Sequence, residues 1–375
     1  MKKVLTLLHR WVGFPIGVLF IVTLGSGLLT GIVDYISMDR DFGQHYQRLS
    51  HSELSSHLRV LNERHTGYRS IKVPQPSSPV FEVALRGEKY IYSAEALTLL
   101  KHEVSAQNSF SSFVLGLHRN YLIGRQQIAG LTGKEWVAWV GLISLAISLL
   151  GIYLWWPHRR TFKVKRLVPT ANKNSQYFFA HLSSGIVTVV FVLLFSLTGA
   201  AITYRSVAQS VLKEDVSAIH ETPEYMVTPW VDMLNLAEAR LENPQLVSVG
   251  TVRARGNNTT YAGALQLKYH TANDWLGFAG SSVYVDTSLG ALLGHEDFGQ
   301  LAFGEKLYRF IVPLHTGRNL PSLYLLVMIG IMTLALIMVL SGVISFVMKK
   351  SRREKKLDNG LNNLVKRKAS LRKKQ

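Results

Sequence analysis

Cysteine is missing from all 375 residues, and acidic side chains are scarce, 24 against 42 Lys and Arg. The first absence excludes disulfide frameworks, thiolate metal centres and Cys nucleophiles. The second leaves a net charge of +18, which in a soluble chain would suggest a nucleic-acid binder. The placement of the charge argues otherwise. Half of the basic residues are Lys2, Lys3 and Arg10, then Arg159, Arg160, Lys163, Lys165, Arg166 and Lys173, then twelve between Lys349 and Lys374. Only Glu354 and Asp358 lie among them, so these stretches carry a net +19 and the rest of the chain is near neutral. Each stretch flanks a long apolar run, the positive-inside pattern of a membrane protein. The basic tail after Met348 could touch anionic lipid or nucleic acid, but topology alone accounts for it. Membrane lipid is the expected partner and nucleic acid is not.

Charge is also absent from four runs long enough to span a bilayer: Trp11–Val33, Trp136–Trp156, Tyr177–Tyr204 and Leu323–Met348. A span needs roughly 20 apolar residues. Trp136, Trp139, Trp155, Trp156, Tyr177 and Tyr204 sit near run ends, as an interfacial aromatic belt does. The basic flanks place both termini and the Pro157–Gln176 loop in the cytoplasm. The expected division is helix 1 over 1–37, a first outside domain over 38–117, and a Leu-His segment with helix 2 over 118–157. A basic loop follows over 158–176, helix 3 over 177–205 and a second outside domain over 206–312. A second Leu-His segment with helix 4 takes 313–348, and a basic tail 349–375. The first run is read as a span rather than a cleaved leader. It is long, it lacks a clear A-x-A site, and its features recur in run three.

The outside segments read as two small α+β domains. Ser52 is placed to cap a helix with apolar Leu54, Leu58 and Leu61. Phe81, Val83 and Leu85 alternate, Gly87 turns the chain, and Tyr90-Ile91-Tyr92 returns as a hairpin. In the second segment, Val247-Ser248-Val249 and Tyr261 to Tyr269 flank a turn at Gly256-Asn257-Asn258. Ser282 to Gly290 then reads as strand, turn and a second strand start.

The chain repeats itself. His9 opens run one and His181 opens run three; glycine follows four residues later in each, Gly13 and Gly185. Each run carries a hydroxyl–Gly pair at its far end, Ser26-Gly27 and Thr198-Gly199. Leu117-His118 and Leu314-His315 precede runs two and four. Those two runs end in a glycine, an apolar stretch and a basic patch, Gly151 to Arg160 and Gly342 to Arg353. The unit of helix, outside domain, Leu-His and helix thus occurs twice. Both copies share one orientation, which puts their symmetry axis along the membrane normal.

His9-Arg10-Trp11, the two hydroxyl–Gly pairs, Val285-Asp286-Thr287-Ser288-Leu289-Gly290 and the two Leu-His pairs together resemble the PepSY-associated transmembrane family. The resemblance runs to about Arg353. It departs at Ala94-Glu95-Ala96, where the family has an Asp-x-x-x-Gly turn. It implies a bacterial inner-membrane protein linked to iron uptake, similar to haem-containing ferric-siderophore reductases.

Several chemistries fail on inspection. His102-Glu103, His220-Glu221 and His295-Glu296 lack the second His of a metalloprotease motif. Gly25-Ser26-Gly27 continues to Gly31, one residue too far for a dinucleotide fingerprint, and no G-x-S-x-G occurs. The cytoplasmic loops are too short for a nucleotide domain, so a reductase would draw electrons from a quinone or another protein. His45, His51, His57 and His65 read as surface residues, with an iron-binding patch as the alternative. His158 reads as a headgroup contact. The membrane histidines differ: ionisable groups there are rare and face the bundle interior, and imidazole is a usual axial ligand of haem iron. The expectation is a four-helix membrane bundle of two tandem repeats with two extracytoplasmic PepSY-like domains, holding two haems b. His9 with His181 would ligate near the cytoplasmic face, and His118 with His315 near the outer face. Gly13, Gly185, Gly27 and Gly199 would give side-chain-free surface to the macrocycles. Arg119 and Arg318 would hold propionates or an anionic chelate. The function implied is electron transfer across the membrane to a periplasmic ferric chelate. The alternative is a cofactor-free protein with a sensing, inhibitory or transporter-accessory role.

Overall fold

The computed structural model describes residues 1–38, 42–104, 110–212, 219–225, 229–252, 261, 263–286 and 291–372. In chain order the elements are α1 (Lys2–Met38), α2 (His51–Arg64), β1 (Ser70–Lys72), β2 (Val80–Ala84), β3 (Glu88–Ser93) and β4 (Leu99–Val104). Then come α3 (Phe110–Asn120), β5 (Gln127–Ile128), β6 (Leu131–Thr132), α4 (Gly133–Trp155), α5 (Asn174–Thr203), α6 (Arg205–Leu212) and β7 (Ile219–Tyr225). The chain ends with α7 (Pro229–Ala239), β8 (Gln245–Thr251), β9 (Leu265–His270), β10 (Ser281–Asp286), β11 (Ala291–Glu296), α8 (Phe303–Thr316) and α9 (Ser322–Arg372). Two compact units result. One comprises Met1–Thr30, Phe113–Thr203 and Val327–Gln375; the other comprises Gly31–Ser112 and Tyr204–Leu326.

The first unit is a helical bundle. Four helical stretches are long and apolar enough to cross a bilayer: Lys2–Ile36, Gly133–Thr161, Asn174–Thr203 and Ser322–Arg352. Their outward residues are apolar, Leu7, Val18, Leu19, Leu149 and Val190 among them, as lipid contact requires. Lipid is as apolar as leucine, so small residues and close packing hold such helices together. Accordingly α5 buries Ala180, Ser184, Thr188, Val192, Ser196 and Ala200, one every four residues. The Ser184 and Thr188 hydroxyls bond back to the carbonyls of Ala180 and Ser184, which satisfies them without a partner helix. Gly17 of α1 sits against Val339 and Val343 of α9, and Phe14 stacks on Phe346 at 4.5 Å.

The Leu-His pairs precede spans two and four, as their order in the sequence requires. Each lies near the end of its own shorter helix, α3 or α8. After α3 the chain turns through left-handed Tyr121, Leu122 and Gly124; α8 stops at Gly317, whose φ is +71°. In that conformation a residue without a side chain is unstrained. The basic tail is not a separate segment, because α9 continues unbroken to Arg372.

The second unit is built on one antiparallel sheet of nine strands, ordered β4-β3-β2-β1-β8-β9-β10-β11-β7. The two outside segments were expected as separate domains; they share this sheet and one core. The join is β1 with β8, in the register Ser70↔Gly250, Ile71↔Val249 and Lys72↔Ser248. A strand of three residues cannot protect its own open edge, and β8 covers it. Gly250 permits the approach, since a β-carbon there would lie 2.8 Å from the Arg69 carbonyl oxygen. Helices α2 and α7 contribute to the same core: Leu58 and Leu61 from one, Met233, Leu234 and Ala237 from the other, packed with Ile71, Phe81, Val249, Leu267 and Val283. The cap of α2 is Ser50 rather than Ser52. Ser50 and Glu53 form a reciprocal capping box, which needs an acid three residues on. The Val80–Ser93 hairpin forms as the alternation predicts, with Gly87 at φ +86°. The turn at Gly256-Asn257-Asn258 and the Thr287–Gly290 part of the second strand-turn lie outside the described residues.

Candidate functional site

His9 on α1 and His181 on α5 come together inside the bundle. Their ring centroids are 6.2 Å apart with planes inclined at 57°. Both rings border a cavity of about 480 Å³, within the usual size range for small-molecule and cofactor sites. Gly13, Gly17 and Phe14 of α1, Ser144, Ile147 and Gly151 of α4, Gly185 of α5, and Met338 and Gly342 of α9 also line it. Gly13 and Gly185 line the cavity one turn beyond each histidine; a β-carbon on either would stand 3.6 Å from a neighbouring side chain, Ile147 or Met338.

Hydrogen bonding sets the tautomer. His181 Nδ1 lies 2.9 Å from the Met338 carbonyl oxygen. A carbonyl only accepts, so Nδ1 carries the hydrogen and Nε2 keeps the lone pair. Backbone acceptors of this kind orient metal-ligating imidazoles. The His9 ring has a corresponding backbone neighbour in Ile147, but its buried Nδ1 closes no hydrogen bond with the described residues.

Two glycines that the sequence reading treated only as helix-end markers make this layer possible. A β-carbon on Gly342 would lie 2.7 Å from His181 Nδ1, and one on Gly151 would lie 3.3 Å from His9 Cε1. The carbonyl beside each ring belongs to the residue one turn earlier on the same helix, Met338 or Ile147. Helix α1 thus presents His9 to Gly151 of α4, and α5 presents His181 to Gly342 of α9.

Gly27 differs from its expected role. Its face is not open: a β-carbon there would meet His118 Cε1 at 2.9 Å and Met332 Cε at 3.0 Å. His118 Nδ1 donates to the Thr23 carbonyl at 2.9 Å, and the Thr23 hydroxyl bonds the Tyr121 phenol at 2.6 Å. Close helix packing explains this glycine. Gly199 lies on α5, where its carbonyl accepts from Thr203 Oγ1 at 3.2 Å. His315 belongs to the sheet-containing unit, near the end of α8. Arg119 is exposed at the end of α3. Arg318, expected to hold a propionate or chelate, is taken by Asp34 in a two-pronged ion pair of 2.9 and 3.1 Å.

The histidines expected on the outer surface are largely built into the second unit. His51 bridges Asn235 and Glu238 of α7. His57 meets the Phe81 ring edge-on, and His65 bonds the Tyr92 hydroxyl at 2.7 Å. Burial holds the pKa of His57 below the ordinary histidine value despite the nearby Glu53 carboxylate. Burial also lowers His65, helped by Arg64 and His102. His45 is exposed. Among the described residues no group of three or more His, Asp or Glu gathers as a metal site, so the iron-binding patch finds no support.

No curated protein matches the chain. Residues 6–349 match the family described as PepSY-associated TM region. Four apolar helices, a β-sheet unit and a match over nearly the whole length carry one conclusion: the chain is a multi-pass membrane protein belonging to the PepSY-associated transmembrane family.

Proposed function

We propose that this protein holds b-type haem between His9 and His181 and passes electrons across the bacterial inner membrane to a ferric chelate in the periplasm. The facing pair of imidazoles on one cavity carries the reading. Two metal–nitrogen bonds of about 2 Å each plus the half-widths of two rings come to roughly 6 Å, which the 6.2 Å separation meets. A bare metal ion would need about four protein ligands. Two imidazoles suffice only where the cofactor brings the remaining ligands itself, as a tetrapyrrole does. Gly13 and Gly185 line the cavity beside the histidines, and Gly151 and Gly342 let the two rings pack closely against α4 and α9.

When bound, haem supplies one-electron chemistry at an iron whose potential is set by its axial ligands and by burial. The protein's own part is to orient the ligands. Met338 holds the His181 ring by its Nδ1 hydrogen, leaving Nε2 as the ligating atom. Phe14, Ile147 and Val339 put apolar side chains on the cavity wall. By the basic flanks, both termini and the 157–176 loop lie in the cytoplasm and the sheet-forming segments in the periplasm. The tandem repeat then puts the histidine layer toward the cytoplasmic face, where a quinone or a donor protein could reach it.

The test is colour. Protein purified from haem-replete cells should show a Soret band that shifts on dithionite. In sealed, oriented vesicles it should reduce a ferric chelate confined to the periplasmic face. A colourless, folded preparation contradicts the proposal.

A further inference from the structure

We infer that the connector between α3 and α4 sits in the headgroup layer opposite the basic flanks and binds anionic phospholipid, with Arg119, Arg125 and Lys134 on the lipid phosphates. The site is independent of haem. Two contacts hold the end of α3 against α1: His118 Nδ1 donates to the Thr23 carbonyl at 2.9 Å, and the Tyr121 phenol bonds the Thr23 hydroxyl at 2.6 Å. Thr23 lies within the membrane-crossing stretch of α1, Lys2–Ile36. On its other side Asn120 meets the first residue of α4, where a β-carbon on Gly133 would run into the Asn120 carbonyl. The turn from Tyr121 to Gly124 is thus fixed where α4 enters the bilayer. Irregular backbone is tolerated at that boundary but not facing lipid in the hydrocarbon. The Trp136 indole donates to the Ile128 carbonyl at 3.0 Å, which ties the β5–β6 hairpin to the same level.

At that level the connector leaves apolar side chains open. Phe113, Leu122 and Ile128 are 53, 50 and 51% exposed. Cations lie between them. Phe113 to Trp136 contains Arg119, Arg125 and Lys134 and a single acid, Glu135. Glu135 is taken up by the cap of α4, where it accepts from the Thr132 amide and hydroxyl at 2.7 Å. Arg119, Arg125 and Lys134 are exposed, and none has a hydrogen bond or ion pair among the described residues. The contact of Asn120 with Gly133 brings Arg119 and Lys134, each next to it in sequence, close together. The positive-inside pattern depletes Lys and Arg on this side of a membrane, so topology does not account for three of them here. Apolar groups and cations exposed together at a bilayer surface take up lipid: the former meet acyl chains, and the latter attract anionic headgroups.

The chain has no cysteine, so Leu122→Cys carries a single label. The full-length variant, tagged there with an NBD fluorophore, is reconstituted into vesicles of phosphatidylcholine and phosphatidylglycerol. A quenching nitroxide is carried on the acyl chain of one lipid or, at the same mole fraction, of the other. Both should quench, and phosphatidylglycerol should be enriched around the label at least about fivefold, the worth of one cation near a lipid surface. Adding Arg119→Gln, Arg125→Gln and Lys134→Gln together should abolish the enrichment and keep the quenching by phosphatidylcholine. Should that combination not fold, Arg125→Gln alone should lower the enrichment; should Leu122→Cys not fold, Ile128→Cys gives the same reading. Equal quenching by the two lipids, or an enrichment that survives loss of the cations, overturns the proposal. So does quenching by aqueous iodide and by neither lipid, which would leave the connector in water. Shielding from all three quenchers would put a second copy of the chain on this surface and overturns it as well.

Discussion

Gly342 faces His181 so closely that a β-carbon on the glycine would lie 2.7 Å from the ring Nδ1. That contact lies beside the hydrogen bond from the same nitrogen to Met338. Gly342→Ala should therefore push the imidazole off its acceptor and out of line with His9. Overpacking of this kind costs about 1–3 kcal/mol. Gly151→Ala should be milder, since its β-carbon would stand 3.3 Å from His9 Cε1. Thermal denaturation and haem content of the two variants check the order. Equal behaviour, or a worse Gly151→Ala, would show that the glycines do not set the histidine layer.

Gly27→Leu separates packing from cofactor. The glycine abuts His118 and Met332, and His118 is tied to Thr23. Leucine there should break the His118–Thr23 bond and destabilise the bundle by a few kcal/mol. The spectrum of the His9–His181 site should survive in whatever protein folds. Loss of that spectrum in a well-folded variant would couple two places that the geometry keeps apart.

The four spans were legible because charge is absent from long apolar runs, a property each run shows by itself. That His9, His181, Gly13 and Gly185 share a cavity wall was suggested by the His-x-x-x-Gly pattern at the start of two apolar runs. The histidine-facing role of Gly151 and Gly342 was not, because it depends on which helix packs against which. The single sheet was equally hidden. Ser70-Ile71-Lys72 is too short to read as a strand, and its partner Val249 lies in the other outside segment. The Ser50 cap was missed for a local reason: Ser50 and Ser52 both precede an apolar pattern, and only Glu53 decides between them. The pairing of Arg318 with Asp34 joins two segments from opposite ends of the chain, and no local pattern announces it.

Acid should weaken the sheet-containing unit. Burial lowers the pKa of His57 and of His65 in the folded protein. The unfolded chain therefore binds more protons, and stability falls as pH drops through the ordinary histidine value of about 6.5. Above that pH both states are neutral at these positions and the dependence vanishes. Amide hydrogen exchange across residues 51–104 at pH 7.5 and 5.5 measures this. Protection should fall at the lower pH and fall less in a His57→Leu, His65→Phe double variant. An identical fall in the double variant would place the sensitivity elsewhere.

The central claim is that His9 and His181 ligate one haem. Low-temperature electron paramagnetic resonance of the oxidised protein, with a reduced-minus-oxidised optical spectrum, reads that ligation directly. Wild type should show a low-spin signal of two neutral imidazoles. His9→Ala and His181→Ala should each abolish that same component, and Lys at either position should not restore it, since a neutral imidazole nitrogen is required. Full haem content and an unchanged low-spin signal in both alanine variants would contradict the account.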